Sequence, residues 1–110
     1  MDQLAVANHS KDNLKGFTRE LDHEVGSIGL SVATLVDVEN LLGNLVESMN
    51  EAAYKGEQMA YFNEHHTKIR VYWNLIRHTV NELSAEYEKV EKIKDGLFNE
   101  VVKRSNEKRQ

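Results

Sequence analysis

An all-α fold, a long antiparallel helical hairpin, is what this sequence predicts, on three observations. Apolar residues recur at helical spacing in two long runs, a glycine lies between the runs near mid-chain, and proline is absent. With 110 residues the chain suits a single helical domain over 1–110. A composition of 40% hydrophobic and 29% charged residues is that of an ordinary folded protein, neither disordered nor fibrous. Zero cysteine excludes disulfides, thiolate metal sites and a cysteine nucleophile.

Residues 1–9 read as a frayed N-terminal extension. Ser10 is placed as an N-cap, with Asp12 in the first turn behind it. The first helix is expected over about 10–54. In it Leu14, Leu21, Ile28, Leu35, Leu42 and Met49 recur every seven residues. The companion row three places later is Phe17, Glu24, Ser31, Val38, Leu45 and Ala52. Where that row turns polar, Val25 and Val32 stand one place further on, so the apolar stripe is expected to drift and return, as a bundle face does. Gly26 and Gly29, with Ser27 and Ser31, offer two alternatives. Either the helix breaks near 25–31 and the chain forms a three-helix bundle, or the small residues let another helix approach closely.

Tyr54-Lys55-Gly56-Glu57 separates the runs. Gly56 can take the left-handed conformation that closes a helix, and Lys55 complements the last carbonyls. The second helix is expected over about 57–106. Met59, Phe62, His66, Ile69, Trp73, Ile76, Val80, Leu83, Tyr87, Val90, Lys94, Leu97 and Val101 alternate spacings of three and four along it. Two helices of roughly 45 residues would each be about 70 Å long.

A hairpin buries one stripe per helix, a thin core for this length. Leu30, Val36, Leu41, Val71 and Leu75 lie off the main stripes. With the turn centred on Gly56, residue i falls level with residue 112−i, which gathers most of these side chains into one band. That band is either a partner surface or part of a three-helix core, and self-association into a four-helix bundle is the simplest way to cover it. The expected partners are therefore a second copy or another helical protein, with no membrane.

Residues 1–56 carry 4 Lys/Arg and 9 Asp/Glu, a net of −5; residues 57–110 carry 10 and 9, a net of +1. The imbalance favours antiparallel pairing of the two halves. The tail 103–110 is basic through Lys103, Arg104, Lys108 and Arg109, which could touch phosphate or simply complement the helix dipole.

Chemistry finds little support. Glu20-Leu21-Asp22-His23 has the Glu-x-x-His spacing of di-iron bundles, but such sites need a second copy of the motif and further inward carboxylates. The remaining histidines, His9, His65, His66 and His78, do not converge in a hairpin, so no metal or other cofactor is expected. His66 sits on the apolar stripe, where a ring that packs while its nitrogens reach water is favoured over a buried titrating switch. No Gly-x-Ser-x-Gly is present, and Gly26-Ser27-Ile28-Gly29 lacks the ending of a phosphate loop. A non-enzymatic interaction module is the expectation: a dimeric adaptor, regulator or inhibitor, with nucleic-acid binding through the basic tail as an alternative. The longest uncharged stretch, Val25 to Val36, is short for a bilayer, and no basic-then-apolar leader opens the sequence, which points to the cytoplasm and leaves leaderless export open.

Tyr54-Lys55-Gly56 between two long helices, with Tyr87-Glu88-Lys89-Val90-Glu91 late in the second, resembles the WXG100 proteins of type VII secretion. Those have an aromatic-x-Gly turn, usually with Trp, and a Tyr-x-x-x-Asp/Glu signal. The resemblance touches about eight positions and departs at the turn, because Trp73 lies inside the second run. It implies a secreted helical hairpin in which Tyr87 and Glu91 form an export signal and Tyr54 and Gly56 a partner-binding turn. In composition the chain also resembles the small acidic helical proteins of Gram-positive prophages and mobile elements.

Overall fold

The computed structural model describes the backbone of residues 2–109 and the side chains of residues 11–106. Two helices, α1 (Asp2–Tyr54, 53 residues) and α2 (Phe62–Arg109, 48 residues), pack against each other as an antiparallel hairpin, with no strand among the described residues.

The helices differ from expectation at their ends. α1 begins at Asp2, so the backbone of 2–9 is helical and Ser10 lies inside the helix instead of capping it. α1 is also unbroken through 25–31, and the three-helix alternative is not adopted. The two glycines there cost about 1 kcal/mol each relative to alanine. Packing of Ile28, Ser31 and Leu35 on the seam outweighs that cost, since each of the three is buried or half-buried. The two glycines admit no close neighbour from the chain itself, because a Cβ added at Gly26 or Gly29 would meet nothing within 4 Å, whereas Ser31 is buried on the seam.

The C-terminus of α1 follows from Gly56, whose φ of 70° is the left-handed conformation. The Glu57 N–H donates to the Ala52 carbonyl at 2.8 Å and the Gly56 N–H to the Ala53 carbonyl at 3.1 Å. This pair of bonds is a Schellman motif, which satisfies carbonyls the helix end would otherwise leave open. α2 does not start at once, as the 57–106 expectation required. Glu57–Tyr61 forms a further turn, closed by the Ala60 N–H donating to the Glu57 carbonyl at 3.1 Å, and the His65 N–H then donates to Tyr61 at 2.9 Å. Met59, placed on the second run by its spacing, therefore belongs to the turn.

The chain divides into two compact units, Met1–Ile28 with Ser84–Gln110 and Gly29–Leu83. In each, burial follows a heptad in which the seven-residue row of α1 occupies position a and the companion row position d. In Gly29–Leu83 the d row of α1 is Ser31, Val38, Leu45 and Ala52, all buried. Facing it on α2 are His65 and Thr79, buried, with Tyr72, Ile76 and Leu83 half-buried. In the other unit the buried or half-buried residues include Phe17 and Glu24 on α1 and Glu86, Val90, Ile93 and Leu97 on α2. There Asn13 bonds Glu100, Phe17 lies against Gly96 and Glu24 approaches Lys89, three pairs whose numbers add to 113. That register is one residue from the 112−i expectation.

The stripe of α1 does not drift. Glu24 is 7% exposed and its neighbour Val25 57%, and Ser31 is likewise buried while Val32 is open. A polar side chain can hold a buried d position when its polar atoms find partners nearby. The Glu24 carboxylate lies 3.9 Å from the Lys89 ammonium. The same inversion runs along α2: Thr79 is 2% exposed and Val80 46%, the Thr79 hydroxyl donating to the Leu75 carbonyl at 2.8 Å. Among the described histidines the buried one is His65, stacked on Tyr61 with ring centroids 5.9 Å apart. His66 is exposed and stacks on Phe62 at 5.7 Å, so its ring packs while its edge meets solvent.

Candidate interaction surface

The two flanks of the seam differ in chemistry. Around an α-helix, position e lies beside a and position g beside d. Because α2 runs opposite to α1, its sense of rotation is reversed when both are viewed along one axis, and the two e rows fall on the same side of the seam.

The g side carries the polar contacts. In the unit Met1–Ile28 with Ser84–Gln110, the Asn13 side-chain amide donates to Glu100 at 3.1 Å and Lys89 reaches Glu24. An open groove of about 550 Å³ lies there, lined by Phe17, Glu20, His23, Glu24, Lys89 and Ile93 among others. It holds the Glu20 and His23 of the Glu-x-x-His motif, yet no group of three or more histidine or acidic side chains is placed to hold a metal among the described residues. In Gly29–Leu83 a smaller hollow of about 190 Å³ is lined by Ser48, Glu51, Ala52, Lys55, Tyr61, Glu64 and His65. The Lys55 ammonium donates to Glu51 at 2.9 Å, and that hydrogen bond and charge hold the lysine pKa above its ordinary value.

The e side is apolar. In Gly29–Leu83 its rows are Val32, Glu39, Val46 and Ala53 on α1, and His66, Trp73 and Val80 on α2, all exposed. The a rows beside them, Leu35 and Leu42 on α1 and Ile76 and Leu83 on α2, remain only half-buried, and Met49 and Ile69 are exposed. In the other unit the e rows are mixed, with Val25, Tyr87 and Val101 exposed beside the equally exposed Thr18 and Lys94.

The five residues singled out from sequence, Leu30, Val36, Leu41, Val71 and Leu75, are all exposed. Leu41 and Leu75 occupy g positions and Val71 the adjoining c position, so these three share the g flank of Gly29–Leu83. Val36, at b, belongs to the opposite flank of α1, and Leu30 lies at c, about 16 Å along the helix from Leu41. Of the basic tail, Lys103 is exposed and Arg104 half-buried with a partner of its own. The side chains of Lys108 and Arg109 lie outside the described residues. In the Tyr-x-x-x-Glu sequence the Tyr87 hydroxyl donates to the Glu91 carboxylate at 3.0 Å, and this bond raises the Tyr87 pKa above 10.0.

Within Lys11–Tyr54, α1 also contains an 18-residue window that by length and composition alone is apolar enough to cross a membrane, 11% of it buried. The uncharged stretch Val25 to Val36 is shorter than this window, which admits up to two charges. Comparison with known protein families, curated proteins and solved structures finds no match to this chain.

Proposed function

We propose that this protein is a non-enzymatic helical interaction module acting in the cytoplasm, one that works by laying its helices against those of another protein chain. The carrying observation is the imbalance between its core and its surface. Among the described residues four hydrophobic side chains are buried, Val38, Leu45, Ala52 and Ile93, while twenty large ones are exposed. Large contiguous apolar surface on a folded chain marks a contact site. The ordered spacing of that surface along both helices suits a helical partner, which inserts side chains at the same three-and-four rhythm.

Photo-crosslinking tests the proposal. A photoreactive phenylalanine analogue replaces Trp73 on the apolar flank or Glu82 on the polar flank, in the cells that make the protein. The expected result is a discrete protein adduct from position 73 and none from position 82. Equal labelling from both positions, or none from either, would contradict the reading.

A second reading keeps the WXG100 resemblance. It is favoured by one observation, the exposed Tyr87–Glu91 pair presented as a hydrogen-bonded unit on α2. It predicts that the chain leaves the cell through Tyr87 and Glu91, so that Tyr87→Ala abolishes its appearance outside while leaving the folded hairpin intact.

A further inference from the structure

We infer that the apolar flank of Gly29–Leu83 docks against the same flank of a second copy of the chain, so that two hairpins close into a four-helix bundle about a two-fold axis. This rests on the interaction reading above and names its partner and its surface. Three observations select a second copy. First, Val32 and Val46 on α1 and Ile69, Trp73 and Val80 on α2 recur at helical spacing on one flank. An occupant must offer a matching ladder along two antiparallel helices, and an isologous contact supplies that ladder from the same face.

Second, the area agrees. The chain exposes 8949 Å². A compact monomer of 12.6 kDa exposes about 6,200 Å². The excess of roughly 2,700 Å², taken over the whole chain, is of the order that an obligate homodimer covers, about 1,000–2,500 Å² from each partner.

Third, the flank can be dried and its charges order the helices. Its two outer rows interrupt apolar residues only with Glu39 and His66, so little polar surface loses water on contact. Within Gly29–Leu83, residues 29–56 carry one Lys/Arg and four Asp/Glu and residues 57–83 three of each, so α1 of one chain is better placed against the neutral α2 of its partner than against a second α1.

The test uses the full chain, whose lack of cysteine lets single thiols report on position. Val80→Cys and Glu82→Cys are labelled with a maleimide across a range of protein concentrations, and each mass is read by light scattering. The expected mass is twice 12.6 kDa. At concentrations where it is reached, the thiol at position 80 reacts about tenfold more slowly than the one at 82, because an interface core excludes water. Trp73→Asp with Val80→Asp returns the mass to 12.6 kDa, whereas Val71→Asp with Leu75→Asp leaves it doubled. The near-isosteric cysteine keeps the readout valid if the double aspartate fails to fold.

A doubled mass that the Val71/Leu75 pair dissociates, with position 80 reacting freely, overturns this inference and leaves the interaction reading standing. A mass of 12.6 kDa throughout, with the chain floating on phosphatidylcholine–phosphatidylglycerol vesicles, overturns both, since the flank then meets lipid. The same mass without vesicle binding overturns the inference alone, and the adduct from position 73 then decides the interaction reading by the identity of the captured protein.

Discussion

Alanine at Gly29 should stabilise the hairpin, and alanine at Gly96 should not. Both glycines are helical, and in an exposed helix interior alanine is favoured by about 1 kcal/mol. At Gly29 a Cβ meets nothing within 4 Å, so the whole gain is available. At Gly96 the same atom would lie 2.7 Å from Cε1 and Cζ of Phe17. No real Cβ tolerates that distance, and the half-buried Phe17 ring must move. Overpacking of this kind costs about 1–3 kcal/mol. Set against the propensity gain, Gly96→Ala should be neutral to destabilising by about 2 kcal/mol, leaving the two variants about 1–3 kcal/mol apart. Urea unfolding followed by circular dichroism, at one fixed protein concentration, measures the difference. A Phe17→Leu background, which shortens the opposing side chain, should turn Gly96→Ala favourable. If Gly96→Ala stabilises as much as Gly29→Ala with Phe17 in place, and Phe17→Leu adds nothing to that gain, Phe17 does not face Gly96 and the register is refuted.

Three further outcomes are expected. Gly56→Ala, which forces a β-carbon into the left-handed conformation at φ 70°, should cost about 1–2 kcal/mol in the same unfolding assay. Thr79→Asp places an unpaired charge on the seam and should cost about 3–5 kcal/mol; Thr79→Val, which removes a hydroxyl bonded only within its own helix, should change stability by no more than about 1 kcal/mol. The Tyr87 phenol should ionise above its ordinary 10.0, because the bond to the Glu91 carboxylate favours the protonated form. A raised folded pKa means that this contribution is complete below pH 10.0 and fades as pH rises through the folded value. Ultraviolet titration of Glu91→Gln should therefore show one tyrosine moved back toward 10.0, and an unchanged curve would deny the bond.

Much of this architecture is legible in the residues, and the exceptions have a common cause. The seven-residue row from Leu14 to Met49 lies on or beside the seam for its whole described length, and Gly56 ends α1 as its position suggests. On α2 the apolar run Phe62, His66, Ile69, Trp73, Ile76, Val80, Leu83 alternates three and four residues. A pairing of positions a and e has that spacing as faithfully as a pairing of a and d, so periodicity cannot tell which row faces the partner helix. Only the hairpin decides, and it turns Thr79 inward and Val80 outward. The polar d residues Glu24 and Ser31 mask the seam in the sequence for a related reason. Burial of a carboxylate or hydroxyl depends on a local partner, which for Glu24 is Lys89, 65 residues away in the chain (89 − 24). The apolar flank that now carries the interaction reading was visible in the sequence, but as core. Its signature would have been the row His65, Tyr72, Thr79, Glu86, Ile93 and Glu100, polar or charged at four of its six positions, beside which the run Trp73, Val80, Tyr87 is more apolar than one seam requires.

Sedimentation equilibrium of the unmodified chain over a wide concentration range tests the closure of two hairpins most directly. An apolar flank of this extent predicts a reversible passage from 12.6 kDa toward twice that mass as concentration rises, with helix content unchanged or increased. A fully helical chain that stays at 12.6 kDa at every concentration would contradict it.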